Sequence, residues 1–381
     1  MMTKQRSQCR SLAALALFVA YCGITADSRG ETKNAANAAV PFIHVTDFYH
    51  PPLDPDDYFD AATVFALHQR GGLSLRAVCL DVPRDDGVGN HAPAVMALGQ
   101  LQVMTGASAP FAVGSPHRLT KIGDTQPNAT PGDLAAVNLI LTTLRESRSP
   151  VAIVINGGSR DVAIAIAREP ELFRTRCLAI YDLAGVTDGK NSPKENNVVV
   201  DPLAAVTVFN TAPCPVYWLP GFDRWPGKDI DWSSGPHDGL YSFEQKWVFD
   251  VVSPRLVNYF IFTLRTGSEP PELNWWRYLN GAPDKALVAK FGTGRGMWTT
   301  AAYLHAAGLS VEEDGRIVPR AEAKSPVFAF TPITMKADDQ CRISWQPAPE
   351  GKARFILAKS SVEAYRRAMP IALISLLKTL R

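Results

Sequence analysis

No charge of one sign dominates this sequence. Its 39 Lys and Arg nearly cancel its 37 Asp and Glu, leaving a net charge of +2 over 381 residues. Bulk electrostatics therefore gives no reason to expect nucleic acid or an anionic membrane surface as a partner; a small neutral or zwitterionic ligand fits better. Cysteine is also scarce: beyond the N-terminal segment there are Cys79, Cys177, Cys214 and Cys341. They lack zinc-ligand spacing, and Cys79 and Cys177 sit inside apolar strand-like runs. That reads as small buried hydrophobes and leaves disulfides open. No Ser or Cys nucleophile elbow, Gly-rich phosphate loop, internal repeat or low-complexity linker is visible, which disfavours serine-type hydrolysis and nucleotide-phosphate chemistry.

What is present is ordinary globular composition, 46% apolar and 20% charged, in a chain long enough to bury a large core. Residues 1–26 read as a signal peptide: a basic start (Lys4, Arg6, Arg10), an apolar run from Leu12 to Tyr21, and small residues around Ala26. Cleavage near Ala26 implies an exported protein, periplasmic or extracellular, with no membrane attachment afterwards. The apolar run is too short for a permanent anchor, and bulky Tyr21 before Cys22 argues against a lipoprotein.

From residue 40 onward, short β-rich runs alternate with helical patterns. PFIHVTD (41–47) is followed by a helix from Asp56 to about Gln69 and LSLRAVCLDV (73–82), then a helix over 91–105 and PFAVG (110–114). The series continues with a helix over 132–146, PVAIVIN (150–156), a helix over 160–168, CLAIYDLAG (177–185), a helix over 202–211 and CPVYWLPG (214–221). Helix-length crossovers between strands predict an α/β fold: an open, doubly wound parallel sheet with helices on both faces. Residues 222–310 are rich in aromatics, with helical stretches expected over 240–266 and 297–307. Residues 326–358 alternate like antiparallel strands and 361–380 closes as an apolar helix. Residues 40–381 are read as one domain with this helical and small β-rich C-terminal elaboration.

In such sheets the ligand sits beyond the carboxyl ends of the strands. There the stretch LDPDDYFDAATVFAL (53–67) crowds Asp54, Asp56, Asp57 and Asp60 into the start of a helix. An Asp54-Pro55 cap and the helix dipole account for one or two carboxylates. They do not account for the set, because Asp47 ends the first strand and is brought to the same place. Like carboxylates held close repel unless a cation sits among them, and hard oxygen donors select Ca²⁺ or Mg²⁺.

The pattern HVTD…DPDDYFDAATVFAL resembles the signature of the inosine–uridine-preferring nucleoside hydrolases. ENNVVVDPLAAVTVFNTAPCPVYWLPG (195–221) and VAIVINGGSRDVAIAIAREPELF (151–173) are similar to two further blocks of that family, in the same order. The resemblance implies an open parallel α/β sheet with Ca²⁺ at the strand ends and hydrolysis of the N-glycosidic bond of a ribonucleoside. It implies that Asp47 and Asp57 bind the metal with the backbone carbonyl of Arg160, and that Asp47 is the base that activates the metal-bound water. Asp56 would hold ribose hydroxyls, and Glu195 and Asn197 would grip the sugar. Asp201, before Pro202, reads instead as a helix N-cap.

Two departures stand out. Eight residues, Phe48–Pro55, separate Asp47 from the paired aspartates, where the family has a tight turn. The family's late His-Asp pair, proton donor and metal ligand, aligns with Met297-Trp298, and neither side chain can do that work. Asp54 or Asp60 could replace the carboxylate; His44, His50 and the His237-Asp238 pair are candidate acids; Trp298 could stack on a base or sugar face. The alternative function is therefore an exported sugar- or nucleoside-binding protein that keeps the metal pocket but not turnover. Homo-oligomerisation is left open.

Overall fold

Each apolar run between turn-forming residues becomes a strand or a helix, and the runs without polar alternation become buried strands. The computed structural model describes residues 39–48, 55–82, 91–226, 234–265, 274–349 and 353–380. Residues 1–26, read as a signal peptide, and His50 and Asp54 lie outside the described residues. Residues Ala38–Arg381 form one compact unit.

The first half alternates regularly: β1 (Val40–Thr46), α1 (Asp56–Gln69), β2 (Leu73–Leu80), α2 (Ala92–Thr105), β3 (Phe111–Val113), α3 (Ala135–Glu146), β4 (Val151–Ile155), α4 (Arg160–Arg168), α5 (Pro170–Arg176), β5 (Cys177–Leu183), α6 (Asn196–Val200), α7 (Pro202–Thr211) and β6 (Val216–Leu219). The second half adds β7 (Tyr241–Glu244), α8 (Gln245–Phe249), α9 (Pro254–Arg265), α10 (Trp275–Asn280), α11 (Lys285–Phe291), β8 (Gly294–Met297), α12 (Thr300–Ala306), β9 (Leu309–Val311), β10 (Ile317–Pro319), β11 (Phe328–Ala337), β12 (Ile343–Pro347), β13 (Arg354–Lys359) and α13 (Val362–Leu377).

Nine strands form the main sheet in the order β12-β11-β13-β6-β5-β4-β1-β2-β3. Pairings from β3 through to β13 are parallel, and β11 and β12 close one edge as antiparallel strands. The expected parallel, doubly wound sheet is what forms. Its strands alternate between two apolar cores: Phe42, Leu80, Val154 and Tyr181 face one, Ile43, Ile153, Ile155 and Val216 the other. Helices α1, α2, α9, α12 and α13 cover the first core; α3, α4, α5 and α7 cover the second.

Three differences from the sequence reading have local causes. The stretch 240–266 is a strand and two helices, because Tyr241–Glu244 pairs with Gly294–Met297 and Pro254, lacking an N–H, opens a new helix rather than continuing one. The stretch 297–307 likewise begins in β8 and turns helical only at Thr300. The C-terminal strands pair antiparallel with one another as read, but β13 also pairs parallel with β6, so they extend the main sheet.

Candidate active site at the strand ends

The chain winds from β1 outward to β2 and β3, then returns to β4 on the other side of β1 and runs on through β5 and β6. The carboxyl ends of β1 and β4 therefore flank the point where the winding reverses, which is where open α/β sheets bind ligands. Asp47 follows β1 directly and Asn156 follows β4, whose end is laced to β1 by Asn156 N–H donating to the Val45 carbonyl at 3.0 Å. Gly157 makes the close approach feasible. A Cβ there would lie 2.5 Å from the Asp47 nitrogen, 2.8 Å from its Cβ and 2.9 Å from Asp81 Oδ2, so any side chain would push the β4 turn away.

Helix α1 points its N-terminus at this place. Pro55 itself occupies the cap position with helical dihedrals and no side chain caps the helix. From Asp57 to Leu67 every residue is buried, so the helix is enclosed on all sides rather than amphipathic. Asp57 and Asp60, one turn apart, face β4: Asn156 Nδ2 donates to Asp57 Oδ1 at 3.0 Å and to Asp60 Oδ2 at 3.3 Å. Burial pushes the Asp60 carboxyl up to about 7, against the opposing pull of Asn156, Thr299 and Tyr303.

Tyr303, entering from α12, joins the set. Burial and then the charges of Asp60, Asp57, Asp56 and Asp47 hold its phenol well above its usual range, so all four carboxylates act on one buried hydroxyl. Against its ring lies His44, with centroids 5.6 Å apart. Neither His44 ring nitrogen has a hydrogen-bond partner among the described residues, and burial lowers its pKa to about 3. It is a neutral core histidine, not a proton donor near neutral pH.

The neighbouring strand ends continue the acidic rim. Asp81, after β2, accepts from Gly158 N–H and is pushed up to about 7 by burial. Asp182, near the end of β5, accepts from Ser159 Oγ at 3.1 Å and is likewise raised by burial to about 7. Glu195 caps α6 with its side chain, accepting from Gly185 N–H (2.9 Å), Asn197 N–H (3.2 Å) and Val198 N–H (3.2 Å), and burial raises it to about 7. Asn197 Nδ2 donates to the carbonyls of Leu183 (2.8 Å) and Asn156 (3.2 Å), tying α6 to the ends of β5 and β4.

Arg160 is 1% exposed, and its side chain is wholly engaged in structure. Its Nε pairs with Asp201 at 3.0 Å, while Nη1 and Nη2 donate to the carbonyls of Val82 (3.0 Å), Ser115 (2.7 Å) and Val200 (3.1 Å). Asp201 also accepts from Leu119 N–H at 2.9 Å and caps α7 through Ala204 N–H at 3.2 Å, as its position before Pro202 predicts. The guanidinium thus staples three strand-end loops together, leaving only its backbone for a ligand.

Met297 is fully buried in β8, whereas Trp298 is partly exposed. The Trp298 indole N–H donates to the Gly221 carbonyl at 2.8 Å and its ring meets Phe222 edge-on. Because Gly221 also lies against the Glu195 side chain, Trp298 stands beside Glu195 at the end of β6. The His237-Asp238 pair is occupied elsewhere: His237 Nδ1 lies 2.9 Å from the Leu357 carbonyl and Asp238 forms a fully buried pair with Lys359 at 2.7 Å.

Asp47, Asp56 and Asp57 thus share one neighbourhood with Asn156, Asp60 and Tyr303, while Glu195, Asn197 and Trp298 form a second group across β4 and β5. The buried Oδ1 atoms of Asn156 and Asp81 have no hydrogen-bond partner among the described residues. Hard oxygen donors with unspent lone pairs fit a cation such as Ca²⁺. Among the described residues no three acidic, His or Cys side chains are already drawn close enough to enclose an ion.

Carboxylates gathered at the switch point of an open parallel sheet lie where α/β proteins bind their ligands. Residues 53–223 match the family described as inosine-uridine preferring nucleoside hydrolase. The match spans 171 of the 381 residues, and over that stretch the chain is similar to that family. It is similar to the pyrimidine-specific ribonucleoside hydrolase RihA of Citrobacter koseri, 37% identical over 87 residues, which is 23% of this chain and 28% of that protein. RihA of Escherichia coli O1:K1 / APEC is 38% identical over 88 residues, again 28% of its length, so the matched stretch spans under a third of these relatives. In fold the chain is similar to a purine-preferring ribonucleoside hydrolase from Gardnerella vaginalis, with TM-score 0.54 and 15% identity over 89% of this chain and 99% of that one.

Proposed function

We propose that this protein is an exported hydrolase of N-glycosidic bonds, splitting a ribonucleoside or related glycoside with water into free sugar and base, with Ca²⁺ as cofactor. The observation that carries this reading is the gathering of Asp57 and Asp60 on Asn156 at the end of β4, with Asp47 against Gly157 one residue further on, at the switch point of a nucleoside hydrolase-like sheet. Export rests on the signal-like residues 1–26.

The ion would be held by Asp47, Asp57 and the Arg160 carbonyl; when bound, it offsets their mutual repulsion and lowers the pKa of a coordinated water. Asp47 acts as base, taking a proton from the attacking water as its oxygen joins the anomeric carbon. Asp56, half-buried at the helix start, binds sugar hydroxyls, and the nearby carboxylates favour the positive charge that develops on the sugar ring as the bond to the base breaks. Glu195 and Asn197 form the sugar-side wall, held rigid by their backbone hydrogen bonds, and Trp298 offers a partly exposed aromatic face to the planar base. Asn156 orients Asp57 and Asp60 by donating to both.

A second reading is supported by Met297 and Trp298, which stand where the resembled family has its His-Asp pair: the pocket binds a nucleoside or sugar without turning it over. Product analysis separates the two. Free ribose and base released from one or more nucleosides support the hydrolase, whereas saturable binding with recovery of intact nucleoside supports the binding protein.

A further inference from the structure

Strand β5 opens with Cys177, and Cys214 lies just before β6, its parallel neighbour. The two strand starts are in register, with Ile180 opposite Val216 and Ile180 N–H donating to the Pro215 carbonyl at 2.9 Å. Both cysteines are buried, 6% and 3% exposed, on the same side of the sheet in the same apolar core. Their side chains are close enough to act on each other's ionisation. The other two described cysteines are differently placed. Cys79 points its thiol at the Ala136 carbonyl, 3.9 Å away, and Cys341 is buried in the turn before β12.

We propose that Cys177 and Cys214 are joined by a disulfide when the chain folds in an oxidising compartment. The bond closes the segment that carries Asp182, Glu195, Asn197 and Asp201, and so braces one wall of the strand-end site from the opposite edge of the sheet.

Arg354 supports the chemistry. Its guanidinium, on β13 beside β6, donates to the carbonyls of Phe209 (2.8 Å), Ala212 (2.9 Å) and Cys214 (3.2 Å). The Cys177 side chain and this adjacent positive charge lower the Cys214 pKa, whereas burial raises that of Cys177. Cys214 is therefore the first nucleophile. With a small-molecule disulfide such as oxidised glutathione as oxidant, the Cys214 thiolate attacks one sulfur and expels a glutathione thiolate, leaving a mixed disulfide. The Cys177 thiolate then attacks the Cys214 sulfur and expels the second glutathione thiolate. The protein loses two electrons and two protons; one oxidised glutathione becomes two reduced ones.

The test is to refold the full chain in a glutathione redox buffer, block free thiols by alkylation and map peptides without reduction. The expected result is a crosslinked peptide pair containing Cys177 and Cys214, with Cys79 and Cys341 alkylated. Reductant should lower the wild-type Tm by about 5 °C, from the loop-closure entropy of such a bridge spread over a domain of this size. It should leave Cys177→Ser unmoved. Recovery of Cys177 and Cys214 as separate alkylated peptides, or in bridges to other cysteines, would overturn the proposal without recourse to any variant.

Discussion

Replacing Arg160 with Met removes the guanidinium that pairs with Asp201 and donates to the Val82, Ser115 and Val200 carbonyls. Methionine roughly preserves the apolar stem, so the change isolates the charge and its hydrogen bonds. Asp201, 2% exposed, is left with only the amides of Leu119 and Ala204, and three buried carbonyls lose a donor. Breaking one partner of a buried pair costs about 3–5 kcal/mol. Spread over the unfolding entropy of a domain this size, that is a fall in Tm of roughly 4–7 °C.

The loss depends on pH in a definite direction. Burial already raises the Asp201 pKa and Arg160 opposes it, so removing Arg160 raises it further. A carboxyl whose folded pKa exceeds its unfolded value binds its proton more tightly in the folded state, so stability falls as pH rises between the two. The variant should be closest to wild type near pH 5 and most impaired near pH 8. Adding Asp201→Asn should recover part of the loss at pH 8, because no uncompensated charge then remains. Urea unfolding at both pH values measures this. A loss under about 1 kcal/mol at pH 8, or one independent of pH, would refute the role given to the Arg160 side chain.

Two further outcomes follow from the same acids. Asp60, Asp81, Asp182 and Glu195 are all raised by burial to about 7, so between about pH 5 and 6.5 the folded chain holds protons that the unfolded chain has released. In chelator, stability should therefore decline as pH rises through that window by about 1 kcal/mol per unit or more, and a melting series that rises instead would contradict the burial of these groups. Calcium at about a hundred times its Kd should add roughly 2.7 kcal/mol to wild type. Asp57→Asn should lose that gain, and an unchanged calcium shift in Asp57→Asn would remove Asp57 from the metal set.

Much of the fold is legible in the sequence because the parallel strands are fully buried and read as uninterrupted apolar runs between turn residues. Asp47, Asp56 and Asp57 stand out for the same reason, as charges placed where apolar residues are expected. Asn156, Asp81 and Asp182 carry the same signal, each a lone polar residue at the end of an apolar run, in VAIVIN, VCLDV and AIYDL. The same strand-end signal that singles out Asp47 therefore marks all three. Tyr303 has no such mark: it sits in an ordinary helical pattern, and only the packing of α12 against α1 and β4 brings it to the acids. The helical reading of 240–266 failed because the alternating aromatics Tyr241 and Phe243 suit a strand whose partner, β8, lies far along the chain. Local patterning carries no trace of a pairing so distant in sequence.

The most direct measurement is reducing-sugar release from a panel of purine and pyrimidine ribonucleosides, run with calcium and with chelator, for the wild-type protein and for Asp47→Asn. Calcium-dependent release that Asp47→Asn abolishes is the predicted result. Release that persists in chelator and in Asp47→Asn, or no release from any nucleoside while calcium still raises the Tm, would contradict the hydrolase and leave the strand-end acids as a binding site.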